Sequence, residues 1–175
     1  MTFPFRVSLL SAAALANRID ELAEVLVDCV QGGASVSFML PFSHDKARDF
    51  WHGVAQSAAR EERVVFVAEN DAGRIVGTVQ LITAQPDNQP HRADVAKLLV
   101  HRQARRGGAA RELMALLETE ARKRGKNVLV LDTATGSDAE RFYLRHEWQR
   151  VGEIPRYALN PDGSYCATTY FFKQL

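Results

Sequence analysis

A chain of 175 residues with 46% hydrophobic and 25% charged side chains holds enough apolar material for one packed domain and little more. Lys and Arg total 22 against 21 Asp and Glu, and the net charge of +1 excludes the strongly basic balance of a nucleic-acid or anionic-membrane binder. Two distant cysteines, Cys29 and Cys166, make neither a disulfide framework nor a zinc motif, and imply a reducing, cytoplasmic compartment.

The segment Val7 to Ala16 (VSLLSAAALA) has the apolar-then-small composition of a secretory leader. Its basic part is Arg6 alone, and its pattern runs on into an amphipathic helix, so it reads as structure. No apolar run approaches the roughly 20 residues of a membrane span. Phe5 to Leu10 predicts a first strand. Ile19, Leu22, Leu26 and Val30 recur at helical spacing, predicting one helix that starts at Ser11 or Asn17 and stops at Gly32–Gly33. GGASVSFMLPF reads as a loop, and Ser43 caps a second helix with Ala47, Phe50, Trp51, Val54 and Ala58 on one face.

Arg63 to Glu69 and Ile75 to Thr83 are strands joined by the turn NDAG. Ala93 to Val100 is another. A helix bearing Leu113, Met114, Leu117 and Ala121 ends in Arg122, Lys123, Arg124 and Gly125. Cations followed by glycine suit a helix C-terminus better than a nucleic-acid patch. Asn127 to Thr133 (NVLVLDT) is apolar enough for a central strand. Ser137 and Glu140 form a capping box for a short helix containing Phe142, Tyr143 and His146. Trp148 to Gly152 and Tyr165 to Phe172 are the last strands, with an NPDG turn between them. The order β-α-α-β-β-β-α-β-α-β-β predicts a single α/β (α+β) domain over 1–175, with a mixed, mostly antiparallel sheet and helices on both faces.

The stretch RRGGAARELM carries the main chemical signal. A helix start has unpaired N–H groups and a partial positive charge, and glycine lets a phosphate approach the backbone. Arg105 and Arg106 add cations, so Arg105 to Ala110 can hold a pyrophosphate, although Gly-Gly before a helix also makes an ordinary turn. No Lys-Ser or Lys-Thr follows, which excludes a Walker loop, and GxGxxG is absent. The five histidines are scattered without a second ligand at metal spacing, so no metal is expected.

The spacing Arg105-x-x-Gly108-x-Ala110, after a strand ending LLV, resembles the pyrophosphate loop of the GCN5-related N-acetyltransferase (GNAT) family. ERFYLRHEWQRVG resembles that family's later motif. GGASVSFM, RADVAKLLV, VLDTATGS and VGEIPRYALNPDG resemble the tabtoxin-resistance type within the family, from about Leu22 onward.

The resemblance implies acetyl-CoA as co-substrate and direct acetyl transfer to a neutral amine through a tetrahedral intermediate. Gly107, Gly108, Ala109 and Ala110 would hold the diphosphate with Arg105 and Arg106; many relatives have glycine at position 106. The main chains of Leu99 and Val100 would bind pantetheine, with an oxyanion donor near Leu99. Ser137 and Arg141 would touch the CoA arm, unless they are a cap and a solvated helix face. Tyr143 would be the acid for the departing thiolate. A phenol ordinarily titrates near pH 10 and a thiol at about 8.5, so full transfer is uphill by about 2 kcal/mol. Packing on the sheet is its alternative. Asp94 and Asp132 are the candidate bases. Relatives of that type carry glutamate at the first position, and the alternatives are an Asp94–Arg92 ion pair and a capping role for Asp132. The implied acceptor is a small amino-acid-like or toxin amine. A protein or peptide amine, a non-catalytic CoA sensor, and a homodimer are also compatible.

Overall fold

The computed structural model describes residues 5–175. The strands are β1 (Arg6–Leu10), β2 (Arg63–Glu69), β3 (Ile75–Ile82), β4 (Arg92–Val100), β5 (Val128–Ala134), β6 (Gln149–Leu159) and β7 (Tyr165–Gln174). The helices are α1 (Ala12–Ala16), α2 (Ile19–Gln31), α3 (His44–Ala59), α4 (Ala109–Lys123) and α5 (Asp138–Arg145). One seven-stranded sheet runs in the order β1-β2-β3-β4-β5-β7-β6. Among the described residues only β4 and β5 pair in parallel. The α/β architecture, the mixed sheet and its mostly antiparallel pairing match the sequence reading.

Strand alternation sends successive side chains to opposite faces. Val65 and Val67 of β2 and Leu99 of β4 pack against Leu15, Leu22, Leu26 and Trp51 of α1–α3. Val64 and Phe66, with Leu81, Leu129 and Phe171, pack against Leu113 and Leu117 of α4 and Tyr143 of α5. The central strands are therefore apolar on both faces.

Two elements depart from expectation. The first helix is broken, because Arg18 leaves helical geometry at φ −116° and ψ 15°. Its guanidinium binds the Glu21 carboxylate, Glu69 at 2.8 Å and the Gly73 carbonyl at 2.8 Å. The second departure is β6, which continues seven residues past Gly152 as an edge strand exposed along almost its whole length. A register shift between Ile154 and Ala158, with Arg156 at φ 52°, accommodates Pro155 there.

The feature that makes a site is the parting of β4 from β5. They pair only from Arg92↔Val128 to Asp94↔Val130. Beyond that, β4 bulges: its register against β3 slips between Thr78 and Gln80, and Lys97 adopts φ 55°. The result is a gap in the middle of the sheet.

Candidate active site

The phosphate-type loop closes one end of this gap. Gly108 is the N-cap of α4 at φ 91° and supplies no side chain, so no side-chain cap covers the first N–H groups of the helix. Arg106 also lies in the left-handed region, at φ 66°, which explains the advantage of glycine at that position. Gly107 has a different constraint: a Cβ there would lie 2.6 Å from the Phe5 ring. The loop is anchored from behind by Asp28 of α2. This buried carboxylate accepts from the Arg102 main-chain N–H at 2.8 Å and its Nε at 2.9 Å.

His101 donates its main-chain N–H to Val76 across the β3–β4 ladder. Antiparallel strands alternate, so the Leu99 main chain belongs to that ladder and the polar groups of Val100 face the gap. The Val100 carbonyl accepts from Arg105 Nε at 3.1 Å and from the Cys29 thiol at 3.6 Å. Arg105 is thus drawn back onto the strand, and both Arg105 and Arg106 remain exposed. The N–H of Val100 and the uncapped start of α4 both offer donors at this gap. Such donors fit an amide-bearing arm that ends in a diphosphate.

Tyr143 stands on the α4–α5 side of the sheet. It is 4% exposed, with ring contacts to Trp148 at 5.6 Å and Phe171 at 5.9 Å. Burial pushes its phenol well above the ordinary value, and the charge of Asp132 adds to the rise. Ser137 caps α5 by accepting from Glu140 N–H at 3.1 Å. Glu140 reaches back to the Gly136 N–H at 2.6 Å rather than to Ser137, which shifts the expected capping box by one residue. Arg141 folds onto the Gly136 carbonyl at 2.9 Å and Asp138 at 2.6 Å.

Asp94 and Asp132 project from the α1–α3 side, two residues apart in register, since Asp94 pairs with Val130. Asp94 is ion-paired with Arg92 and accepts from Gln85 Nε2 at 3.0 Å. Asp132 is exposed and accepts from Thr168 Oγ1 at 2.8 Å. It caps no helix, because Ser137 takes that role for α5.

Asp132 lines a cleft of about 370 Å³ with Ser37, Phe38, Met39, Tyr157 and Thr168. The expected loop GGASVSFM forms its roof. Ser35 Oγ donates to the Leu159 carbonyl at 3.0 Å, and Leu40 N–H to the Pro161 carbonyl at 3.0 Å, which ties the roof to the β6–β7 hairpin. Four members of this neighbourhood escaped the sequence reading: Asp28, Lys97, Tyr157 and Tyr170. The exposed β6 gave no period-two signal for Tyr157. Asp28 and Lys97 are single polar positions within apolar elements and carry no local signal.

No helix among the described residues is long and apolar enough to cross a membrane. The family model "Acetyltransferase (GNAT) family" matches residues 26–148. An uncharacterised N-acetyltransferase from the hisH-hisA intergenic region of Azospirillum brasilense is 33% identical over 116 residues, 65% of this chain and 67% of that protein. The fold is shared with an N-acetyltransferase of Staphylococcus aureus Mu50 at TM-score 0.78 and 17% identity, covering 97% of this chain and 98% of that one. It is also shared with yncA of Salmonella typhimurium, solved with its cofactor acetyl-CoA, at TM-score 0.75 and 18% identity, covering 98% and 94%. A sheet parted between β4 and β5, a glycine-capped helix at its mouth and these matches together make the chain a member of the GNAT family, an acetyl-CoA-dependent N-acetyltransferase.

Proposed function

We propose that the protein acetylates the amine of a small, amino-acid-like acceptor, toxins and antibiotics of that type included, in the cleft beneath the Ser35–Met39 roof. The observation that carries this reading is the pair of hydrogen bonds joining that roof to the β6–β7 hairpin. They tie the roof across to the hairpin over the cleft, whose volume of about 370 Å³ suits a small molecule better than an extended peptide.

Acetyl-CoA supplies the acyl group already activated as a thioester. The N–H groups at Gly107–Ala110 and at Val100 hold and orient it, with Arg106 adding charge beside the diphosphate. Asp132 attracts the acceptor's ammonium and takes its proton, directly or through water, so that a neutral amine can attack. Asp94 is held by Arg92 and Gln85, and supports the same field rather than moving the proton. Tyr143 stays protonated at neutral pH and offers its O–H to the departing sulfur. Its raised pKa favours stabilisation by hydrogen bonding over full transfer. A homodimer would have a ready seam in the exposed edge β6, and sedimentation would reveal it.

Thiol release from acetyl-CoA, measured across small amines and across peptides with free N-termini or lysines, tests the reading. Small amines should be turned over in preference. Preference for peptides would overturn it, and CoA binding without any turnover would mark a sensor. Acetyl-CoA at 100 Kd should add about 2.7 kcal/mol of stability, a rise of about 5–10 °C in Tm.

A further inference from the structure

Two residues other than glycine hold left-handed backbones at this end of the cleft, one in its roof and one on β4: Ser37 at φ 83° and Lys97 at φ 55°. Such conformations cost about 1 kcal/mol or more each and persist where the surroundings impose them. They meet through one hydrogen bond, from Lys97 Nζ to Ser37 Oγ at 3.2 Å. Lys97 is the bulged residue of β4, and a bulge re-aims a side chain away from the regular alternation. Its ammonium lies 5.8 Å from the Phe50 ring centroid.

Among the described residues, Lys97 makes no ion pair within 4 Å. Burial lowers its pKa and the charge of Asp132 partly offsets this. A half-desolvated cation held by a neutral hydroxyl and an aromatic ring lacks the counter-charge that buried charge calls for. Ser37 and Asp132 both line the cleft. The cleft therefore has an anionic wall at Asp132, and at Ser37 a hydroxyl whose hydrogen-bond partner is the Lys97 ammonium. That polarity matches a zwitterion.

We propose that Lys97 and Ser37 bind a carboxylate of the acceptor while Asp132 receives its amine, so that the enzyme selects α-amino acids and close analogues over simple amines. The proposal rests on the cleft being the acceptor site. It assigns a specificity-determining role to Lys97 and leaves the transfer chemistry unchanged.

The test compares amino acids with the same compounds as carboxamides, using thiol release as readout. The native protein should favour the free acids by about 10–100-fold in kcat/KM, the worth of one charge-assisted contact. Lys97→Met should erase that preference by weakening turnover of the acids alone, and Lys97→Arg should retain part of it. Lys97→Gly removes the ammonium while relaxing the left-handed backbone, so it should behave as Lys97→Met does with the fold intact. An unchanged acetyl-CoA melting shift in each variant reports that fold. Equal turnover of acids and carboxamides by the native protein overturns the carboxylate site but leaves the small-amine reading standing. Turnover of neither, with peptides accepted instead, overturns both. Equal losses on both substrates in Lys97→Met and Lys97→Gly would make Lys97 merely structural.

Discussion

The hydroxyls of Tyr157 and Tyr170 lie 2.9 Å apart across the β6–β7 hairpin, with their rings edge-on at 6.1 Å. Tyr170 is also the register partner of Asp132 on the neighbouring strand. Its phenol is pushed up to about 12, first by the hydrogen bond to Tyr157, then by burial and by the Asp132 charge. Tyr157→Phe removes the largest of these causes. Tyr170 should then ionise nearer the ordinary value of about 10. Ultraviolet titration of the variant, with Tyr170→Phe as the assignment control, measures this. An unchanged midpoint would mean that burial and the charges of Asp132 and Asp94 hold the phenol without Tyr157.

Tyr143→Phe should lower kcat by about 10²-fold with the KM for acetyl-CoA nearly unchanged, the signature of a group that acts as the thiolate departs. The ring contacts to Trp148 and Phe171 survive the substitution, so stability should change little. Because burial keeps the phenol protonated far above neutral pH, the native rate should show no fall from Tyr143 ionisation through about pH 9. Equal loss of CoA affinity and rate would place its role in packing alone.

What was legible in the chain was whatever depends on near neighbours. The end of β4, the Gly108 cap and the cationic end of α4 each follow from a few adjacent residues. What stayed hidden depends on partners far along the chain. Arg18, where the first helix breaks, is held in part by Glu69 and Gly73, 51 and 55 residues away. Asp28 looks like a polar position on an amphipathic helix until Arg102, 74 residues on, closes over it. Lys97 carries no signal of its own in RADVAKLLV, since nothing local announces a bulge. Strand β6 lacks a buried face altogether, so it lacks the alternation by which strands are recognised.

Gly108→Ala tests the cradle. The site has open space for a methyl group, so no clash intervenes, but φ 91° is hostile to any side chain. The expected loss is about 1–2 kcal/mol of stability, or about 2–8 °C in Tm. The KM for acetyl-CoA should rise as well, because the N–H groups of the turn no longer converge. Arg106→Gly works in the opposite sense on the backbone, relieving strain at φ 66° while removing a cation. It should leave Tm level or higher, with a salt-dependent weakening of CoA binding. A Gly108→Ala protein with native Tm and KM would show that the loop tolerates another conformation and is not the diphosphate cradle.

Acid stability should hinge on buried carboxylates outside the cleft. For Asp28, burial raises the carboxyl pKa, but the Arg102 backbone N–H, its guanidinium and His101 outweigh that and hold it below the usual range. Glu69 follows the same pattern: burial raises it, and the ion pairs to Arg18 at 2.8 Å and Arg6 at 2.7 Å bring it down. A carboxylate depressed in the folded state stabilises the protein above its unfolded pKa of about 4. That contribution is lost as pH falls through the lower folded value. These groups therefore add no slope to Tm between about pH 7 and about 5, and a steep loss below about 4. Asp28→Asn should cost about 1–3 kcal/mol at about pH 7, since the amide cannot serve both Arg102 donors, and should flatten the acid limb. Because Arg102 leads directly into the phosphate loop, the same variant should raise the KM for acetyl-CoA while kcat at saturation stays near native. Thermal melts from about pH 3 to 8 beside saturation curves measure both effects. A variant with the native acid limb would remove Asp28 from the account of acid stability, and a native KM would uncouple this anchor from the cofactor loop.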